Sequence, residues 1–252
     1  MKFGRRLQLP CHWAEEDGLA YDFFRFLRRP HLDLGRGGQA THDGVRAGDR
    51  AASRQGAGMS SQHWQQLDRF SLPPGFRGRP GWYVQLWWLV QALLFRPSPQ
   101  VLYGWRRWLL RRFGARVGRG VIIRPSARIT YPWKLTVGDY AWIGDDVELY
   151  TLGEITVGAH AVVSQRCYLC TGSHDHARAT FDIFARPIVI GEQAWLATDV
   201  FVAPGVEIGA GTVVGARSSV FKSLPGGVIA RGTPAVVVGA RDRVEDPSLR
   251  SG

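Results

Sequence analysis

The sequence predicts a mainly β protein, a parallel β-solenoid of six-residue repeats with helices closing its N-terminal end. Three observations predict it. Aliphatic residues recur every six positions through much of the C-terminal half, glycine follows many of them, and a tryptophan-rich, basic, apolar segment immediately precedes the repeats.

Residues 1–58 stand outside that pattern. Gly35 to Gly58 is rich in Gly, Ala, Arg and Asp without helical or strand periodicity, the composition of a disordered tail. Met59 then opens an ordinary polar start. Two readings stand: Met59 is the natural initiator and residues 1–58 an upstream extension, or the tail is authentic and its apolar piece, Tyr21 to Leu27, docks on the body. Arg5 and Arg6 are not followed by a continuous apolar stretch, so no secretory signal is expected.

Residues 59–116 form the expected helical cap. Trp82 to Phe95 (WYVQLWWLVQALLF) is an apolar run of fourteen residues broken only by Gln85 and Gln91. A bilayer span needs about 20 residues. Pro97 and Pro99 end the run, and Val101 to Phe113 (VLYGWRRWLLRRF) resumes as a helix that sets Arg106, Arg107, Arg111 and Arg112 beside Trp105, Trp108, Leu109 and Leu110. Such a segment has two uses. A solenoid end exposes apolar core and unpaired strand edge and must be capped, and interleaved indoles and guanidinium groups suit a membrane interface.

Residues 117–225 carry the repeat. Val137, Ile143, Leu149 and Ile155 are six apart; a two-residue slip restarts the series at Val157, Val163 and Leu169; after an insertion it runs through Ile190, Leu196, Val202, Ile208, Val214 and Val220. Gly138, Gly144, Gly158, Gly191, Gly209 and Gly215 each follow an aliphatic position. Each hexad makes one short strand and one turn with the aliphatic side chain inward, and three hexads complete a triangular coil. Glycine relieves places where a Cβ would clash. Four to five coils are expected, with residues 226–252 as a C-terminal tail.

Charge is concentrated rather than spread. Residues 59–128 hold twelve Arg against the single acid Asp68, a net +11, while residues 1–58 carry +3 and residues 129–252 carry −3. The basic excess therefore describes one surface that meets something anionic. No nucleic-acid-binding motif accompanies it. Three cysteines, Cys11, Cys167 and Cys170, are too few for a disulfide framework and point to a reducing compartment. The Cys167–Cys170 pair has no second pair to complete a zinc site, which favours packing over metal or redox use.

Repeats are scaffold, so chemistry is expected where they break. The break is the loop 172–187 (GSHDHARATFDIFARP), which begins with His174, Asp175 and His176. His160, in contrast, sits in a hexad turn and reads as a surface residue. Three histidines in a solenoid also raise the shared zinc site of the γ-class carbonic anhydrases, but the gaps of fourteen and two residues between them do not match, and no metal is expected.

Thr171, Gly172 and His174 resemble the opening of the corresponding loop in galactoside, maltose and related O-acetyltransferases of the hexapeptide-repeat family. Ser173 is inserted here, and Asp175 stands where many relatives have proline. More narrowly, the chain from about Phe70 onward is similar to the colanic-acid biosynthesis acetyltransferases of bacterial exopolysaccharide clusters. The matching stretches are GFRGR (75–79), SPQVLYGWR (98–106), RPSARITYPWKLTVGD (124–139), YLCTGSHDH (168–176) and WLATDVFVAPGVEIG (195–209). The resemblance implies a left-handed β-helix, a homotrimer with sites between subunits, and acetyl-CoA as co-substrate. It implies His174 as the catalytic base. Trp195, Ala216, Ser218 and Lys222 become cofactor-binding positions, with backbone contacts from Ala216 and Ser218 to the pantetheine arm and Lys222 near the nucleotide phosphates. Asp146 and His176 are candidates for holding the acceptor.

The expected reaction is O-acetylation of a sugar hydroxyl in exopolysaccharide synthesis. A lipid-linked sugar acceptor would place the protein in the cytoplasm, peripherally on the inner face of the cytoplasmic membrane. A soluble acetyltransferase for free sugars or other small molecules, and a non-catalytic scaffold, remain as alternatives.

Overall fold

The computed structural model describes residues 64–242; the readings made for residues 1–58, for Met59 and for the tail beyond residue 242 lie outside the described residues. Helix α1 (Gly81–Val90) runs on through a wider π turn (Gln91–Phe95), and helix α2 (Tyr103–Arg112) follows. The rest is a parallel β-solenoid. Its first coil is β1 (Arg116–Val117), β2 (Ile122–Ile123) and β3 (Arg128–Ile129); its second is β4 (Leu135–Val137), β5 (Trp142–Ile143) and β6 (Glu148–Tyr150). The third is β7 (Ile155–Val157), β8 (Val162–Val163) and β9 (Tyr168–Cys170), after which the hairpin β10 (Gly172–His174) and β11 (Ile183–Ala185) interrupts the winding. Two more coils follow, β12 (Ile188–Ile190), β13 (Trp195–Leu196) and β14 (Phe201–Val202), then β15 (Glu207–Ile208), β16 (Val213–Val214) and β17 (Ser219–Val220). The last turn holds β18 (Val228–Arg231) and β19 (Val236–Ala240).

Three parallel sheets form the walls of a prism. Face 1 is β1-β4-β7-β12-β15, face 2 is β2-β5-β8-β13-β16-β18 with β19 antiparallel on its edge, and face 3 is β3-β6-β9-β14-β17. The hexad residues stack in register: Val137, Val157, Ile190 and Ile208 up face 1, and Ile143, Val163, Leu196 and Val214 up face 2. All are buried. The two-residue slip has a simple cause. Strand β7 points both Ile155 and Val157 inward, and the corner before it holds extra residues.

The solenoid has about six turns, where four to five were expected. The first coil keeps the spacing at Val117, Ile123 and Ile129 but is cut off from the next series by a two-residue slip at Leu135–Val137, and the last coil hides because alanine replaces the aliphatic residue. Backbone pairing continues regardless of that replacement. Val214 pairs with Ala230 and Leu224 bridges to Ile208, so residues 226–231 belong to the prism rather than to a tail. The glycines answer to close approach between coils. A Cβ on Gly138 would lie 2.5 Å from the Ala159 nitrogen, and one on Gly191 would lie 2.5 Å from the Ala210 nitrogen. The left-handed corner conformation itself is taken by Tyr140, Asp146, His160, Arg166, Gln193, Asp199 and Arg217.

The helices close the first coil in atomic detail. Trp87, Phe95 and Leu110 are fully buried against it. Its unpaired strand edge is met by side chains: the Trp87 indole N–H donates to the Ile129 carbonyl at 2.8 Å, and the Ile129 N–H donates to Gln91 Oε1 at 2.8 Å. Arg106 Nε donates to the Ile123 carbonyl, Arg107 to that of Val121, and Arg111 to that of Val117. An open backbone acceptor in a buried place costs about 1–3 kcal/mol. Three of the four arginines of α2 are thereby committed to capping.

Candidate active site

The hairpin β10–β11 rises from the corner where face 3 turns into face 1, and the residues before His174 explain its root. Thr171 is buried; its hydroxyl donates to the Tyr150 carbonyl and accepts from the Gly153 N–H at 2.8 Å, while its carbonyl accepts from the Arg186 N–H at 2.8 Å. Threonine thus pins both ends of the hairpin to the coil beneath. Gly172 fits because a Cβ there would lie 2.5 Å from Leu152 Cδ1. Ile183, opposite His174 in the antiparallel register, is buried with Val84, Tyr131 and Leu152.

His174 is held from two sides. Its ring stacks on Phe181 at 4.3 Å between centroids and 8° between planes, and Phe70 packs at a tilt 5.8 Å away. Nδ1 lies 2.8 Å from the Phe181 carbonyl oxygen. A carbonyl can only accept, so the neutral ring carries its proton on Nδ1 and leaves the Nε2 lone pair free. The loop tip is braced by the Arg178–Asp182 ion pair at 2.7 Å, by the Asp175 side chain accepting from the Ala177 N–H, and by the Gln66 N–H donating to the Ala179 carbonyl. Phe181, Phe70 and Arg178 were not singled out from the sequence. Phe181 contributes through its carbonyl and its ring stacking, neither of which a one-dimensional pattern reveals.

The other predicted residues lie elsewhere on the prism. Trp195 is on face 2, exposed, its indole N–H donating to Ser164 Oγ at 3.0 Å. It borders an open groove with His160, Val162, Gln193 and Arg241. His160 stacks on Tyr140 at 5.3 Å on the corner between faces 1 and 2. Asp146 is exposed on the corner between faces 2 and 3, where Arg166, Asp199 and Arg217 occupy the same left-handed position in successive coils. Arg166 and Asp199 pair there at 2.7 Å, and the hydrogen bonds from Arg166 hold the Asp199 carboxyl below the usual carboxylate range. Ala216 is exposed on this corner, whereas Ser218 is buried: its hydroxyl donates to the Gly215 carbonyl and accepts from the Gly232 N–H. Lys222 is exposed beyond β17 and makes no ion pair among the described residues, and His176 is exposed on the hairpin.

Face 2 is the wall opposite the corner that bears the hairpin. A single chain therefore brings His174 together with Phe181 and Phe70, but not with Trp195 or Asp146. Cys167 and Cys170 are not joined in a disulfide; burial pushes the Cys167 thiol up to about 11, and its Sγ–H donates to the Ala197 carbonyl. Among the described residues no group of His, Cys, Asp or Glu is placed to hold a metal ion.

The colanic acid biosynthesis acetyltransferase WcaF of Escherichia coli K12, whose own assignment is provisional, is 71% identical over 181 residues, spanning 72% of this chain and 98% of that protein. The chain belongs to this family of hexapeptide-repeat acetyltransferases. Its members wind their prism left-handed, and the fold of this chain is that β-helix. No family model matches the chain. Among solved structures, a maltose O-acetyltransferase from Clostridium difficile 630 superposes with a TM-score of 0.60 at 23% identity, covering 65% of this chain and 90% of its own. A galactoside acetyltransferase in complex with coenzyme A gives a TM-score of 0.60 at 23% identity over 68% of this chain and 85% of its own. At that identity the two carry the fold alone. Among the described residues no helix is long and apolar enough to cross a membrane.

Proposed function

We propose that this acetyltransferase moves the acetyl group of acetyl-CoA onto a sugar hydroxyl of a lipid-linked exopolysaccharide precursor of the colanic-acid type, with His174 as general base. The observation that carries this reading is the single hydrogen bond from Nδ1 to the Phe181 carbonyl, which leaves Nε2 as the proton acceptor. Nε2 takes the proton of the hydroxyl as its oxygen bonds to the thioester carbonyl carbon. Collapse of the tetrahedral intermediate breaks the C–S bond, and the imidazolium returns the proton to the departing thiolate. A backbone N–H facing the developing oxyanion would complete the site.

The donor and the acceptor need more surface than one chain offers. The exposed indole of Trp195 and the groove beside it suit the pantetheine arm, the exposed backbone at Ala216 suits its amides, and Lys222 suits the nucleotide phosphates. Ser218 serves this groove through the corner it stabilises, since its hydroxyl is already engaged. Because face 2 lies opposite the hairpin corner, a complete site takes His174 from one subunit and Trp195 from the next. That requirement, with Trp142, Trp195 and Val236 to Val238 left exposed on face 2 and its edge, supports a homotrimer. Asp146 and His176 are the acceptor-side candidates.

A panel of sugar acceptors, with coenzyme A release and the mass of the product as readouts, tests the proposal. Acetylated sugar formed by the wild type and lost in His174→Ala is expected; equal product from that variant overturns the assignment of His174. Sedimentation that returns an active monomer overturns the shared site.

A further inference from the structure

Helix α1 breaks the usual rule for a surface helix. A helix apolar on all sides is normally buried, and α1 with its π turn presents Val84, Trp87 and Phe95 to the core while its outer stripe, Trp82, Leu86, Leu89 and Leu93, stays exposed. The stripe runs roughly 17 Å along the end of the prism. It ends at Arg96, one turn beyond Leu93. On α2 a second stripe, half-buried Trp105 and exposed Trp108, leads to Arg112. The two stripes are joined, because the Trp105 indole N–H donates to the Leu94 carbonyl at 3.0 Å and Trp105 stacks on Trp108 at 5.1 Å.

We infer that this end of the prism is a docking surface for an anionic lipid bilayer, with the leucines entering the acyl boundary, Trp82 and Trp108 lying at headgroup depth, and Arg96 and Arg112 on lipid phosphates. Charge decides among occupants. Thirteen Lys or Arg and no Asp or Glu lie between Arg69 and Gly138, and Arg106, Arg107 and Arg111 point inward to strand carbonyls. Arg119, Arg124 and Arg128 pair with acids of the second coil, whereas Arg96 and Arg112, at the ends of the two stripes, are exposed and form no ion pair among the described residues. Apolar residues ringed by unpaired arginine and interfacial tryptophan match a membrane surface. The choice of lipid as partner rests on the lipid-linked acceptor proposed above.

Co-sedimentation of the full chain with phosphatidylethanolamine–phosphatidylglycerol vesicles, and separately with phosphatidylcholine vesicles, tests the inference. The wild type is expected to pellet with the anionic vesicles, Leu89→Glu/Leu93→Glu to lose at least tenfold in bound fraction, and Arg96→Glu/Arg112→Glu to lose the preference for anionic over neutral vesicles. Both variants should melt like the wild type and release coenzyme A at its rate with a soluble acceptor. Wild-type protein that stays in the supernatant overturns the inference, as do variants that pellet undiminished. A lower particle mass for Leu89→Glu/Leu93→Glu also overturns it, by assigning the stripe to a contact between copies. Failure of acetyl transfer with pelleting intact counts against the proposed reaction only, and failure of pelleting with transfer intact counts against the docking surface only.

Discussion

The shaft of the solenoid and the hairpin that interrupts it are made by the same chain under different rules. In the shaft a residue's neighbours are set by the period: Leu196 lies between Val163 and Val214 because each is one coil away, and its burial is complete. In the hairpin they are set by pairing across a turn, so His174 meets Phe181 seven positions on and Phe70 more than a hundred positions back. The shaft stores stability in many equivalent contacts. The hairpin spends few contacts, each on one orientation of one ring. Periodic walls tolerate a side chain of the right size, whereas the interruption depends on a particular carbonyl and a particular ring.

Substitutions on the two sides should separate along that line. His174→Ala should lower turnover by about 10² to 10⁴ while leaving the melting temperature in place; comparing coenzyme A release with thermal unfolding checks both halves, and a fall in stability instead would erase the distinction. Leu196→Ala should do the reverse, costing about 2–5 kcal/mol in denaturant unfolding at matched protein concentration, with activity per folded molecule retained. Arg106→Met, in the cap, leaves the Ile123, Pro99 and Gln100 carbonyls without their donor and should cost about 3 kcal/mol in the same measurement. Phe181→Leu keeps the carbonyl but removes the ring, and should reduce turnover by roughly threefold to tenfold, the worth of one stacked aromatic contact.

The smallest effect lies on the corner between faces 2 and 3. Asp199 titrates below the ordinary carboxylate range because Arg166 hydrogen-bonds its ionised form. Its contribution is therefore present above the unfolded-state value of about 4 and is lost as pH falls through the lower folded value. Asp199→Asn should flatten the acid limb of the stability–pH curve by about 0.5 kcal/mol, given a partner that is largely solvated. An unchanged limb in acid titration of the two proteins would show that the corner ladder of charge is idle.

Several site features are legible in the sequence alone. The break at 172–187 stood out because everything around it was periodic, and the Thr171-Gly172 pair ahead of His174 carried the resemblance that named a base. The structure adds why threonine and glycine are there: a hydroxyl that pins the hairpin root, and a contact with Leu152 too close for a Cβ. Cap and membrane readings of the basic helix could not be separated in one dimension. The sequence shows that arginines alternate with tryptophans, but only the packing of α2 on the first coil decides that Arg106, Arg107 and Arg111 face strand carbonyls while Arg112 faces out. The sixth coil escaped notice for a related reason, since backbone pairing persists where the aliphatic marker has become Ala230.

By itself, then, the sequence determined the period, the inward face of the hexads that keep an aliphatic residue, and the place where the period fails, because each follows from neighbours a few residues apart. Tertiary structure alone decided which carbonyl orients His174, which arginines close the prism, and that Trp195 lies on the wall away from the hairpin. Those outcomes depend on the register of coils some twenty residues apart and on the length of one insertion, and no local pattern of side chains encodes either.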